Sequence, residues 1–269
     1  MKARNNYTAK IDNEATAQLP AIEFRGEILI IDREEQIEEA CRDLAQARII
    51  GFDTETRPSF KAGVSYRVSL LQLSTEERCY LFRLNRIPLA KPLLHLLEDS
   101  KVLKIGADVA GDLRSLRQLR HFRDGGFVDL QAIVGEWGIE EKSLRKMSAI
   151  VLGERVSKAQ RLSNWEASTL TPQQQMYAAT DAWVCISIYE RLLKEKPLTE
   201  PKIEEVISET ATKRDKSRTK RESTRVKREF AGEKSDNKTA RQDEQSPKRG
   251  EQRRRRHYRK PKEKTDKQQ

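Results

Sequence analysis

Cysteine is scarce and poorly placed for bonding: the 269-residue chain carries three, Cys41, Cys79 and Cys185, with no Cys-x-x-Cys pair. That spacing excludes a disulfide framework and leaves small buried hydrophobes or free thiols, suited to a reducing compartment. No apolar run approaches the roughly 18 residues of a membrane helix, and Met1–Lys10 lacks the apolar core of a secretory signal. The expectation is an intracellular, cytoplasmic and soluble chain without a membrane partner. No internal repeat is present. Apolar side chains are nearly missing from the last quarter, where residues 201–269 hold nine that are apolar or aromatic. So little apolar surface cannot offset the entropy of ordering, which predicts a disordered tail over 199–269.

Charge is distributed unevenly. Of 53 basic and 42 acidic residues, 1–200 contain 29 of each, whereas 201–269 contain 24 basic and 13 acidic. The whole net charge of +11 therefore lies in the tail. Arg253 to Arg256, followed by His257, Tyr258, Arg259 and Lys260, form a basic stretch with one aromatic, the composition that phosphate-backbone attraction requires. Interspersed acids such as Asp243, Glu244 and Glu251 leave a second reading open, a solvated tail that only keeps the chain soluble. Residues 1–24 read as a flexible arm, and residues 25–198 as one domain large enough for a full core.

Within that domain, four carboxylates stand in three places: Asp53 and Glu55 in IIGFDTET, Asp112 in KIGADVAGDL, and Asp181 in YAATDAW. A strand alternates its side chains, so Asp53 and Glu55 point to one side. The β-branched run Ile49-Ile50-Gly51-Phe52 makes that strand a buried one. Adjacent acids at the mouth of a core strand repel each other unless a cation lies between them. Oxygen ligands suit Mg2+ or Mn2+, and two such ions about 4 Å apart can activate a water and neutralise the oxygens of a phosphodiester. Asp108 reads as the N-cap of the helix carrying Leu113, Leu116 and Leu119, and Asp129 as a strand-end or cap acid.

The last carboxylate falls on a strongly signalled helix, predicted from Pro172 to about Lys194. Thr171 is its N-cap, Pro172 its first residue, and Gln174 completes a capping box. Tyr177 and Asp181 are four residues apart and share a face, so the hydroxyl can sit one turn from the carboxylate. An ordinary core tyrosine remains the other reading of Tyr-x-x-x-Asp. Trp165 reads as a packing residue.

In order, Asp-x-Glu, Gly106 with Asp112 six positions on, and Tyr-x-x-x-Asp resemble the three motifs of the DEDD superfamily of 3′–5′ exonucleases, of the tyrosine-containing kind. The likeness is to ribonuclease D and Werner-type exonucleases. It extends over about residues 27–195 and includes LLQLS from Leu70, SNWE from Ser163 and LTPQQQMYAATDAW from Leu170. The resemblance implies that Asp53, Glu55, Asp112 and Asp181 hold two divalent cations, Mg2+ or Mn2+, and that Tyr177 positions the attacking water. A sister group has histidine one residue before this tyrosine, where this chain has Met176. An unperturbed tyrosine, with a pKa of about 10, is a poor base near neutrality, so Tyr177 serves as an orienter.

The implied substrate is a single-stranded or frayed 3′ end of DNA or RNA, with DNA slightly favoured. Thr54, Lys158, Arg161 and Asn164 are candidate substrate contacts, joined by Arg57, Lys61 and Arg67 near the Asp-x-Glu strand. An alternative from another class is a catalytically inactive nucleic-acid-binding or scaffold protein acting through its basic tail. Strands are predicted at 27–31, 49–53, 67–73, 78–84, 101–105 and 127–129, with a first helix capped by Asp32 and Glu35. This alternation predicts an α/β domain with a mixed sheet between helices, in agreement with the ribonuclease-H-like fold that the resemblance implies.

Overall fold

The computed structural model describes residues 7–198. The disordered tail expected over 199–269 lies outside them. Among the described residues, six strands form one mixed sheet: β1 Glu27–Ile31, β2 Ile49–Thr56, β3 Val68–Ser74, β4 Arg78–Phe82, β5 Leu103–Gly106 and β6 Phe127–Asp129. Their spatial order is β1-β4-β3-β2-β5-β6. β2, β3 and β4 pair antiparallel, while β1 with β4, β2 with β5 and β5 with β6 are parallel. This is the mixed sheet between helices that the alternation of elements predicts.

The helices are α1 Asn13–Gln18, α2 Ile37–Leu44, α3 Lys91–Glu98, α4 Val109–Leu119, α5 Leu130–Ile133, α6 Leu144–Leu152 and α7 Pro172–Leu193. One sheet face buries Ile50, Phe52, Leu71, Leu73 and Phe82 against apolar stripes of α2, α3 and α4. The other lies under α7. There Leu70, Cys79 and Leu81 pack on Trp165, Leu170, Tyr177, Ala178 and Ala179, and Ile105 and Val128 pack on Val184 and Ile188. α7 starts as its residues predict: the Thr171 hydroxyl accepts from Gln174 N–H at 3.2 Å, and the Gln174 side-chain oxygen Oε1 accepts from Thr171 N–H at 2.9 Å. This reciprocal box satisfies donors that a helix start otherwise leaves open.

Two features position the site. β2 runs antiparallel to β3 from Gly51 to Thr56 but pairs with β5 only over Ile49–Gly51, because β5 stops at Gly106. The second half of β2 therefore borders a notch, and α4 begins beside it. At Gly51, α7 presses directly on the strand: a Cβ there would lie 2.0 Å from the Ala182 carbonyl oxygen, so only glycine permits this approach.

Local caps depart from the sequence reading at two places. Ahead of α2, a 3-10 turn at Glu34–Gln36 intervenes, and the Gln36 side chain accepts from the N–H groups of Asp32 and Arg33. Asp32 instead pairs with Arg86 at 2.9 Å. Asp108 holds the position before α4 with φ 65° but does not cap it through its side chain. Asp129 does that work, accepting from Asp108 N–H at 3.3 Å and Val109 N–H at 3.1 Å, and also from Gln131 N–H at 2.9 Å.

Residues 7–24, expected as part of a flexible arm, are packed on the domain. Asp12 caps α1 through Ala15 N–H, and Ile22 N–H donates to the Arg155 carbonyl. Phe24 is buried under α7, its N–H donating to the Thr180 hydroxyl at 3.1 Å. Its apolar residues meet partners distant in sequence, as Phe24 does at Thr180. No helix among the described residues is long and apolar enough to cross a membrane. The three cysteines are free and buried.

Candidate metal centre beneath the last helix

β2 delivers Asp53 and Glu55 to the face covered by α7, and α7 delivers Asp181 to the same place. One carboxylate oxygen from each lies within 4.8 Å of the others. Asp181 is 7% exposed, while Asp53 and Glu55 are half-buried. Burial, then the charge of Asp181, holds the Asp53 carboxyl well above the usual carboxylate range. Glu55 is pushed up to about 10 by burial and by Asp53, Asp181 and Asp112, while Asp181 is raised to about 7 by burial. Such groups hold their protons in the absence of a counter-charge and release them to a cation that takes its place. Three oxygen donors so arranged fit a hard divalent ion.

Asp112 approaches from the opposite sheet face, in the first turn of α4. Its carboxylate accepts from the Thr54 hydroxyl at 2.5 Å and lies outside the group of three. The notch beside β2 still brings it within electrostatic range: burial, then the charge of Asp53, raises it to about 8, against the hydrogen bond from Thr54. Thr54, a candidate substrate contact, thus joins the strand to the fourth carboxylate.

Tyr177 is 9% exposed and stacks near the buried Trp165, ring centroids 6.0 Å apart. Its hydroxyl faces Asp181 closely enough to favour that carboxylate's charge. Burial, then the charges of Asp181 and Glu55, drives the phenol far above its ordinary value, which keeps it a proton donor at any physiological pH. Trp165 is fully buried and packs in the core, as expected.

The other candidate substrate contacts lie on exposed loops. Lys158, Arg161 and Asn164 are exposed in the loop before α7, which also lines a pocket of about 340 Å³ shared with Ile22, Met176 and Tyr177. The Asn164 side chain accepts from Glu166 N–H and so shapes its own turn. Arg57, after β2, stacks on Tyr66 at 4.7 Å and pairs with Glu166 at 3.1 Å, joining the two loops. Arg83 and Arg86 donate to the carbonyls of Ala167 and Ser168 and anchor the far end of the same loop.

One residue beside the carboxylates was not singled out from sequence. Gln72 faces Asp53 across the β2–β3 ladder, is fully buried, and has no hydrogen-bond partner for either amide atom. A polar residue in the apolar word LLQLS is the signal that could have found it.

Comparison with known proteins places this geometry in a family. Residues 28–196 match the family described as 3′-5′ exonuclease. The bifunctional 3′-5′ exonuclease/ATP-dependent helicase WRN of Mus musculus is 33% identical over 184 residues, 65% of this chain and 13% of that protein. Exonuclease 3′-5′ domain-containing protein 2 of Drosophila melanogaster is 37% identical over 155 residues, 55% of this chain and 26% of its own length. The chain thus spans only a minor part of these two relatives. The solved EXO domain of Aedes aegypti Nibbler superposes with a TM-score of 0.60 at 22% identity, covering 71% of this chain and 99% of that one, a likeness of fold.

Proposed function

From the premise that the chain belongs to the 3′-5′ exonuclease family, we propose that it hydrolyses phosphodiester bonds at 3′ ends of nucleic acid and releases nucleoside monophosphates. The observation that carries this reading is the convergence of Asp53, Glu55 and Asp181 beneath Tyr177. Asp53, Glu55 and Asp181 would hold divalent cations, Mg2+ or Mn2+, with Asp112 facing them across the notch. Bound cations would supply charge neutralisation and activation of a water. Tyr177, kept protonated by its surroundings, donates a hydrogen bond that orients that water and does not accept its proton. The substrate we assign is a strand that is single or frayed at its 3′ terminus. DNA is the slightly favoured polymer, on the sequence likeness to Werner-type domains.

The exonuclease domain is assigned to residues 25–198. Lys158 and Arg161 are exposed cations on the loop leading into α7 and are assigned to phosphates of the incoming strand, with Asn164 shaping the turn between them and the helix. The basic tail is assigned to longer-range capture of the phosphate backbone. An intracellular setting accords with three buried thiols that are free.

The test is shortening of 5′-labelled DNA and RNA strands with Mg2+, Mn2+ or EDTA. A cation-dependent ladder with mononucleotide products supports the assignment, and the faster polymer settles the substrate. Binding that persists without any ladder would replace the enzyme by a nucleic-acid-binding protein.

A further inference from the structure

The reading above leaves Gln72 without a task, although the residue is placed where a task exists. It is fully buried, and neither its amide nitrogen nor its amide oxygen has a partner. Across the sheet its neighbours are Asp53 on β2 and Leu81 on β4. Directly opposed residues of an antiparallel pair project to one face with Cβ atoms about 4.5–5.5 Å apart. Gln72 therefore lies beneath α7 with an apolar side chain on one flank and a carboxylate on the other. Leu70 and Leu81, in the same layer, show that leucine fills this space, packing on Trp165 and Ala178. A buried amide with no partner is less favourable than an apolar side chain of its shape, so volume does not explain glutamine here.

The carboxylate supplies the explanation. We propose that Gln72 is a positioning residue for Asp53: when a cation binds, its amide N–H, which has no partner in this structure, turns to donate to one carboxylate oxygen and so directs the other toward the cation shared with Glu55 and Asp181. The assignment rests on the metal-centre reading of those carboxylates. A donor fixed in the sheet confines Asp53 to one rotamer and favours its ionised form, the form that binds a cation. The competing arrangement is a buried water shared with the indole N–H of Trp165, which also lacks a partner and lies under the same helix.

Gln72→Leu and Gln72→Met, made in the full chain, distinguish these by Mn2+ titration without nucleic acid, followed by calorimetry. Both variants are expected to melt at or above the wild-type temperature in EDTA. Their Mn2+ dissociation constant should rise about 10- to 100-fold, the range typical of lost outer-shell partners. On a labelled strand, kcat should fall more than KM changes. Folded variants with wild-type Mn2+ affinity would overturn the proposal in favour of the shared water. Loss of the fold in both would also overturn it, because the amide would then be a structural element. Mn2+ binding that survives Asp53→Ala would instead overturn the metal-centre reading, an outcome separate from any result at Gln72.

Discussion

β3 shows two kinds of burial on one strand. Toward α2 and α3 it presents Leu71 and Leu73, which join an apolar cluster with Phe52 and Phe82. Toward α7 it presents Leu70, Gln72 and Ser74, and the neighbouring row of β2 adds Asp53 and Glu55. Every residue of the strand is buried, yet one face is chosen for volume and the other carries groups that burial disfavours. Stability and chemistry are thus divided by the plane of the sheet, with α4 and Asp112 reaching across at the notch where β5 ends. A strict division makes quantitative demands.

The largest effect should come from the α7 face. Asp53→Ala or Asp181→Ala is expected to lower hydrolysis at least a hundredfold, since each removes a charge that places a cation. Melting in EDTA should not drop, because repulsion within the cluster is relieved. Rates of purified variants against the metal-free melting temperature measure both halves, and retention of a tenth of the wild-type rate would break the division. Tyr177→Phe should reduce kcat by roughly ten- to a thousandfold at unchanged Mn2+ affinity, as only an orienting hydrogen bond is lost. An untouched rate would make Tyr177 a packing residue.

The opposite face should answer in stability alone. Leu71→Ala is expected to cost about 2–5 kcal/mol in urea unfolding, the range for deleting a fully buried leucine side chain, while activity per folded molecule stays near wild type. A fall in kcat at constant folded fraction would mean that the faces are coupled.

The smallest effect is a pH dependence confined to the metal-free protein. Asp181 and Asp112 are raised from 3.8 to about 7 and about 8, and Glu55 from 4.5 to about 10. Folded-state values above the unfolded ones mean that the native chain holds protons that the unfolded chain releases. Their stabilising contribution is complete below about pH 4 and is lost as pH climbs through 7 to 10. Thermal melts in EDTA should therefore fall across that window, and saturating Mn2+ should flatten the trend. A melting temperature that rises between pH 6 and 9 in EDTA would contradict the clustering of these acids.

How much of this was legible in the residues depended on the reach of the physics involved. The capping box of α7 needs only Thr171 and Gln174, three residues apart, and it formed as read. The β2 run was read to Asp53, but the strand continues to Thr56, because β3 pairs with it through a register shift that no property of Glu55 or Thr56 announces. The alternation placing Asp53 beside Glu55 is local, whereas the bond from Thr54 to Asp112 spans 58 positions and needs the end of β5 to create the notch. The packing of residues 7–24 is non-local in the same way. The hydrogen-bond partner of Phe24, Thr180, lies 156 positions away. Gln72 was visible as an oddity, but its significance depends on which residue faces it across the ladder.

The contact at Gly51 has a consequence for the spacing of this site. Like charges do not gather unaided, and here three are brought together by a backbone touching a backbone, the Ala182 carbonyl resting on a strand with no side chain in the way. The standoff of α7 from β2 thus sets how near Asp181 comes to Asp53 and Glu55. Helix standoff, set by one missing methyl group, acts as the gauge of the centre. The distance between the two halves of the chemistry is a packing dimension.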